Sequence, residues 1–152
     1  MAIVHYPGEI KSMRWSASAK GADRPGMVIK VEDTTATSPR ACLVTASGDL
    51  PQGVMVADTY NQAGTLQSGS STYASYVQEG EVLVSVEAGT FHPGEIIWVA
   101  DTSDGYGRAE PTGSCVIGIC NEYRVVATGD YTNKRYQVRV KLCLEGNPVL
   151  KA

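Results

Sequence analysis

The sequence is poor in the residues that most often carry out chemistry. It has two histidines, His5 and His92, and four cysteines, none of which form a Cys-x-x-Cys pair. It contains no nucleophile-elbow, zinc-protease, phosphate-loop or dinucleotide-binding motif. We therefore expect no catalytic residue, no cofactor and no bound metal, and we predict that the protein is not an enzyme.

The chain also lacks long runs of one character, whether basic or apolar. Charged residues make up 19% of the chain and the net charge is -3, so no basic stripe is available for phosphates, and direct nucleic-acid binding is not expected. No apolar run approaches the roughly 20 residues of a membrane span, so no membrane partner is expected. The first fifteen residues lack the basic and apolar regions of a secretion signal. We expect synthesis in the cytoplasm, where cysteines stay free thiols.

The chain is rich in turn-forming residues, with 16 glycines and seven prolines between short apolar runs. Such spacing is typical of an all-β fold. The clearest alternation is at 81–89, where Val82, Val84 and Val86 point to one face of a predicted strand. The predicted strands cover residues 26–33, 41–46, 53–58, 81–89, 90–101, 114–123 and 136–144.

One phrase occurs twice, as RPGMVIKVED at 24–33 and HPGEIIWVAD at 92–101. Each copy is followed by a turn, an Arg-Ala pair, a glycine with an apolar strand and an alternating strand. We interpret this as a pseudo-repeat of 24–87 and 92–142, although Gly/Pro-punctuated strands also resemble each other by chance. Each half is too small to be stable alone. The sequence therefore predicts one β domain at 24–152, a small barrel or sandwich of two related short-strand units.

Two segments outside this pattern are candidate contact regions. Residues 1–23 are predicted to form an extended N-terminal arm, whose apolar side chains pack either on the domain itself or on another chain. Residues 59–80 are rich in Ser, Thr, Gly and Tyr and are predicted to form a long exposed loop. Deleting residues 1–15 is expected to leave a folded protein that has lost binding to its partner. The arm candidates are Tyr6, Ile10, Met13, Arg14 and Trp15, and the loop candidates are Tyr60, Tyr73 and Tyr76.

Four segments of the chain resemble a known group of proteins. The segments 53–58, 82–86, 89–91 and 96–99 resemble the capsid decoration, or cement, proteins of tailed viruses, which include β-barrel and β-tulip-like families. The C-terminal VIGICNEY and YQVRVKL segments resemble the ending of related phage β-barrel head proteins. The resemblance implies a homotrimer that binds the major capsid protein on the outer surface of the virion capsid and bridges capsomers.

Two other functions fit the same residues. One is a component of a phage tail or head fibre. The other is a carbohydrate-binding β-sandwich module, in which exposed Trp15, Trp98 or Tyr106 would stack on sugar rings. Trp98 lies within an apolar strand, which favours burial in the core over sugar binding.

Overall fold

Every regular element in the described part of the chain is a β-strand. The computed structural model describes residues 10–15, 26–32, 39–46, 48–57, 73–100, 105–109, 115–127 and 136–144, with positions 57, 73 and 74 described by their backbone alone. The strands are β1 (Lys11–Trp15), β2 (Val28–Val31), β3 (Arg40–Leu43), β4 (Gly53–Ala57), β5 (Tyr73–Val77), β6 (Glu81–Ser85), β7 (Gly89–Phe91), β8 (Ile96–Val99), β9 (Gly107–Arg108), β10 (Val116–Cys120), β11 (Arg124–Val126) and β12 (Gln137–Leu142).

The strands form two units and a small additional sheet. The first five close a barrel in the order β1-β3-β2-β4-β5, in which only the β1–β3 pair is parallel. The second unit is an antiparallel sheet in the order β6-β12-β10-β8-β9. Its two outer strands approach each other at a parallel bridge between Val86 and Gly107. Strands β7 and β11 pair separately. The predicted all-β fold with a barrel is confirmed.

Strands β2, β4 and β5 are buried on both faces. Ile29, Met55 and Tyr76 belong to the cluster that fills the barrel. The neighbouring valines point the opposite way, because side chains alternate along a strand. They join a second cluster, formed mainly by the second unit. Burial on both faces explains why the GVMVA segment of β4 is a continuous apolar run rather than an alternating pattern.

The repeated phrase takes the same shape in both units. Gly26 and Gly94 follow its prolines and have positive φ angles of 97° and 91°, a conformation that favours glycine. The Gly26 N–H donates to the Met55 carbonyl at 2.8 Å, and the Gly94 N–H donates to the Cys120 carbonyl at 2.8 Å. Each glycine thus ties the turn before its strand to the second strand after it, β4 in the first unit and β10 in the second.

The strand registers also agree between the units. Ile29 of β2 lies opposite Gly53 of β4, and Ile97 of β8 lies opposite Gly118 of β10. The repeat makes Ile29 and Ile97 counterparts, and it makes the two glycines counterparts. Equal registers at corresponding pairs indicate that the sequence repeat is also a structural repeat.

The boundaries predicted for the repeat are wrong at the alternating strand of 81–87. This strand was expected to end the first unit, but β6 pairs with β12 of the second. Its place matches that of β1, since Trp15 pairs in parallel with Ala41 of β3 while Val86 pairs in parallel with Gly107 of β9. The units are therefore 11–77 and 81–142, and β6, β9, β8, β10 and β12 correspond to β1, β3, β2, β4 and β5.

Two further corrections concern the predicted arm and loop. Residues 11–15 are a barrel strand rather than part of an extended arm, because β1 lies between β3 and β5 and closes the barrel. Residues 73–77 are the barrel strand β5 rather than part of a loop. The rest of the arm, apart from Ile10, and residues 59–72 of the loop lie outside the described residues.

A β-bulge in β10 brings two cysteines to the same side of the strand. Their odd separation places Cys115 and Cys120 on opposite faces of a regular strand. The register shifts between Val116 and Gly118, however, and both thiols are buried in the same cluster. The extra residue of the bulge restores a common direction.

Candidate interaction surfaces

The predicted arm residues divide into buried and exposed groups. Trp15 is completely buried inside the barrel, and Met13 is half-buried against the same cluster. Trp15 is a core residue and Met13 packs against the core, so their assignment as anchors for another chain is corrected. Ile10 is 56% exposed and Arg14 is exposed. Tyr6 lies outside the described residues.

Of the three predicted loop tyrosines, Tyr76 has a described side chain. Tyr76 lies on β5 and is buried against the barrel cluster, so its assignment as a loop contact is corrected. Tyr73 begins the same strand, and its side chain is not described. Tyr60 lies outside the described residues. Alternation along β5 sends Tyr76 inward, which a Ser- and Tyr-rich stretch gave no means of predicting.

The structure places large exposed apolar side chains on the small β7–β11 sheet. Tyr123 precedes β11 and is 62% exposed, and Val125 within β11 is 56% exposed. Val125 lies opposite the exposed Thr90 of β7. The His92 and Tyr123 rings are tilted against each other with centroids 5.2 Å apart. We call these four residues, Thr90, His92, Tyr123 and Val125, the β11 surface.

The other face of this sheet fixes the β11 surface in place. Val126 is buried in the main cluster, as is Phe91 on β7. Arg124 lies opposite Phe91 and donates from Nη1 to the Gln137 carbonyl at 3.1 Å. The Arg139 N–H donates to Glu122 Oε1 at 2.8 Å, which holds the chain just before the sheet. The exposed side chains are thus presented by an anchored strand.

The sequence analysis missed the β11 surface. The segment NEYRVVA at 121–127 has apolar residues at both odd and even positions, so the pattern does not show which face is buried. The outer position of Val125 follows only from its pairing with Thr90. The one useful signal was the tyrosine beside charged residues at 122 and 124.

The polar clusters among the described residues stabilise turns. Asp49 Oδ2 accepts hydrogen bonds from the Thr45 and Ala46 N–H groups at 2.8 and 3.0 Å, and lies 2.9 Å from Lys30 Nζ. Burial alone would raise the pKa of Asp49, but these hydrogen bonds and the Lys30 charge outweigh it and hold the pKa below its usual value. Glu95 Oε1 similarly accepts from the His92 N–H at 2.8 Å, in the second Pro-Gly turn.

The four cysteines are free thiols. Burial raises the pKa of Cys42, Cys115 and Cys120, and a protonated thiol is a weak nucleophile. Among the described residues, no group of three or more His, Cys, Asp or Glu side chains is placed to hold a metal ion.

Two basic side chains lie on β12, and one of them is partly neutralised. Arg139 and Lys141 are both exposed on this strand. Arg139 Nε lies 3.1 Å from Glu81 Oε1 on the neighbouring β6. Two cations on one strand, one of them beside a carboxylate, are few for binding a phosphate backbone.

The residues proposed for sugar stacking differ in their exposure. Trp15 is buried, which corrects its assignment as an exposed stacking residue. Tyr106 is half-buried, packs against both clusters and stacks on Tyr136 with centroids 5.6 Å apart. Trp98 is half-buried on β8 rather than fully enclosed in the core.

Comparisons with known proteins add no family assignment. No protein-family model matches the chain, and no curated protein matches it significantly. Within the described residues, no helix has the length and apolar character needed to cross a bilayer.

Proposed function

We propose that this chain is a structural virion protein that binds the outer surface of a tailed-virus capsid and stabilises the contacts between capsomers. Its partner is the major capsid protein, it acts as a homotrimer, and it is not an enzyme. The sequence resemblance to decoration proteins motivates this function. The single structural observation in its favour is the β11 surface, where Tyr123 and Val125 are 62% and 56% exposed on an anchored strand.

The β11 surface has the chemistry of a protein contact. Tyrosine combines a large apolar ring with a polar hydroxyl and is common among residues that dominate binding energy. Because Val126 and Phe91 fix the sheet from below, little conformational freedom is lost when a partner covers it. Several copies held together would bind a lattice of repeated sites far more tightly than one copy, because later contacts form within the same complex.

The first test is a binding experiment with shells. Expanded, undecorated capsids are assembled from the major capsid protein encoded in the same genome, and co-sedimentation measures the bound fraction. We expect the wild type to bind and the double variant Tyr123→Ser/Val125→Ser to bind at least tenfold more weakly. A tyrosine that dominates an interface costs about 2 kcal/mol or more when it is truncated, and a tenfold change corresponds to about 1.4 kcal/mol.

The control is Leu50→Ser, which removes an apolar side chain that is 58% exposed elsewhere on the barrel. This variant should bind as the wild type does. Equal binding by the double variant and the wild type would remove the β11 surface from the proposal. Failure of the wild type to bind at saturating concentration would count against the function itself.

Sugar binding is the second candidate function, and the observation that favours it is that Trp98 is half-buried rather than fully enclosed. An exposed indole face can stack on a sugar ring. A glycan array compares the wild type with Trp98→Ala. Binding that Trp98→Ala abolishes would favour the carbohydrate module, whereas an empty array together with shell binding favours capsid decoration.

A further inference from the structure

The two units contact each other through surfaces that are not equivalent. Val28, Val54 and Val77 form a continuous row across β2, β4 and β5, and all three are completely buried in the cluster shared with the second unit. Beside the row, the Gly26 carbonyl accepts from the Ser85 N–H at 2.8 Å, and the Val28 N–H donates to the Gly105 carbonyl at 2.8 Å. The barrel thus contributes its β2 side, while the second unit contributes the segments at Ser85 and Gly105.

The second unit has a counterpart of the buried valine row. In β8, β10 and β12, Ile96 lies opposite Ile119, and Ile119 lies opposite Lys141. The shared registers make these residues the counterparts of Val28, Val54 and Val77. Ile96 and Ile119 are half-buried and Lys141 is exposed. We call Ile96, Ile119 and Lys141 the outer row.

The glycines beside the two rows differ in the same way. A Cβ on Gly26 would collide with the Gln137 side chain and come within 3.0 Å of Ser85 Oγ, because the second unit packs there. A Cβ on Gly94, the counterpart glycine, would meet no atom within 4 Å. The second unit therefore exposes the counterpart of the side that the barrel buries.

The barrel likewise exposes the counterpart of the side by which the second unit contacts it. The Trp15–Val86 correspondence makes Arg14 the counterpart of Ser85, and the Ala41–Gly107 correspondence makes Pro39 the counterpart of Gly105. Arg14 and Pro39 are both exposed. One chain therefore exposes, at different places, both surfaces that a second contact of this kind needs: the outer row, and the side carrying Arg14 and Pro39.

We infer that a second copy of this chain docks its barrel, by the side carrying Arg14 and Pro39, onto the outer row of the first copy. This contact between copies repeats the packing of one unit on the next that each chain already contains. Because two different surfaces meet, the association is head-to-tail and forms a ring if the rotation closes. The aliphatic stem of Lys141 can cover apolar surface while its charge stays in water. This self-association does not depend on shell binding.

Sedimentation velocity of the full chain, from 1 to 100 µM, tests the inference. We expect the wild type to be oligomeric at the upper concentrations. Ile119→Glu, and Lys141→Glu at the exposed end of the outer row, should each shift the protein to monomer. Val125→Glu is the control, since it places the same charge at an exposed strand position on the β11 surface and should leave the mass unchanged. Circular dichroism melting confirms that each variant is folded.

Mixing two defective chains tests whether the contact is head-to-tail. Ile119→Glu damages the outer row and Arg14→Glu damages the opposing side, so each should be monomeric alone. An equimolar mixture retains one intact contact per pair and should form a heterodimer. A contact between two identical outer rows would instead leave Arg14→Glu oligomeric on its own, and this result overturns the inference. It is also overturned by a monomeric wild type at 100 µM, or by folded outer-row variants that keep the wild-type mass.

Discussion

At the scale of single residues, Gly53 and Gly118 show why the two units have the same registers. A Cβ on Gly118 would collide with the Lys141 carbonyl and come within 2.7 Å of Val140 Cγ1 on β12. A Cβ on Gly53 would collide with the Tyr76 ring and lie 2.8 Å from the Val77 carbonyl on β5. At both positions the neighbouring strand passes where a side chain would be, so glycine is required by contact rather than by backbone angle.

We predict that Gly118→Ala destabilises the protein. The added methyl group must displace the backbone of β12, and forced overpacking of this kind costs about 1–3 kcal/mol. Urea unfolding followed by tryptophan fluorescence measures the change in free energy of unfolding.

Gly48→Ala is the matched control, because a Cβ at that exposed glycine meets no atom within 4 Å. Its effect should stay within about 0.5 kcal/mol, as for most surface substitutions. Equal stabilities of the two variants would show that β10 and β12 are not in close contact at Gly118.

At the scale of elements, β1 shows where the sequence failed to predict the fold. Its five residues KSMRW contain only two inward-facing apolar side chains, Met13 and Trp15, and this is too short a pattern to distinguish a strand from an arm. Its pairing is long-range, because β1 pairs in parallel with β3 and antiparallel with β5, and β5 lies about sixty residues further along the chain. Strand β5 was missed for a similar reason, since YASYV lies within a polar stretch. The apolar runs of β2, β4, β6, β8, β10 and β12 were predicted, because each contains three or more apolar residues.

The structure reverses the expectation for a chain that lacks residues 1–15. Such a chain loses β1, which opens the barrel and removes Trp15 from its core. Losing a buried tryptophan side chain alone costs about 3–5 kcal/mol, while whole domains are stable by only about 5–15 kcal/mol. We expect this truncation to lose its cooperative thermal transition, as measured by near-UV circular dichroism.

A chain that lacks only residues 1–9 is the control. It retains β1 and should melt within a few degrees of the full chain. Cooperative, unshifted melting of the chain without residues 1–15 would contradict the role of β1 in closing the barrel.

At the scale of the whole molecule, the sequence predicted the duplication but assigned one strand to the wrong unit. The repeated Pro-Gly phrase predicted two related units, and Gly26 and Gly94 have the same conformation and equivalent hydrogen bonds. Placing β6 correctly required its pairing with β12, because alternating strands look alike in sequence and only the register distinguishes them. The β11 surface could not be predicted either, since exposure on an apolar strand depends on which neighbour covers it.

The most direct test of the proposed function is cryo-electron microscopy of capsids mixed with this protein. The capsids are expanded, undecorated shells assembled from the major capsid protein encoded in the same genome. We predict density for the chain at symmetric positions on the outer surface, across contacts between capsomers, with Tyr123 and Val125 facing the shell. Bare shells at saturating protein, density confined to a tail or fibre, or a genome that encodes no major capsid protein would contradict the proposal.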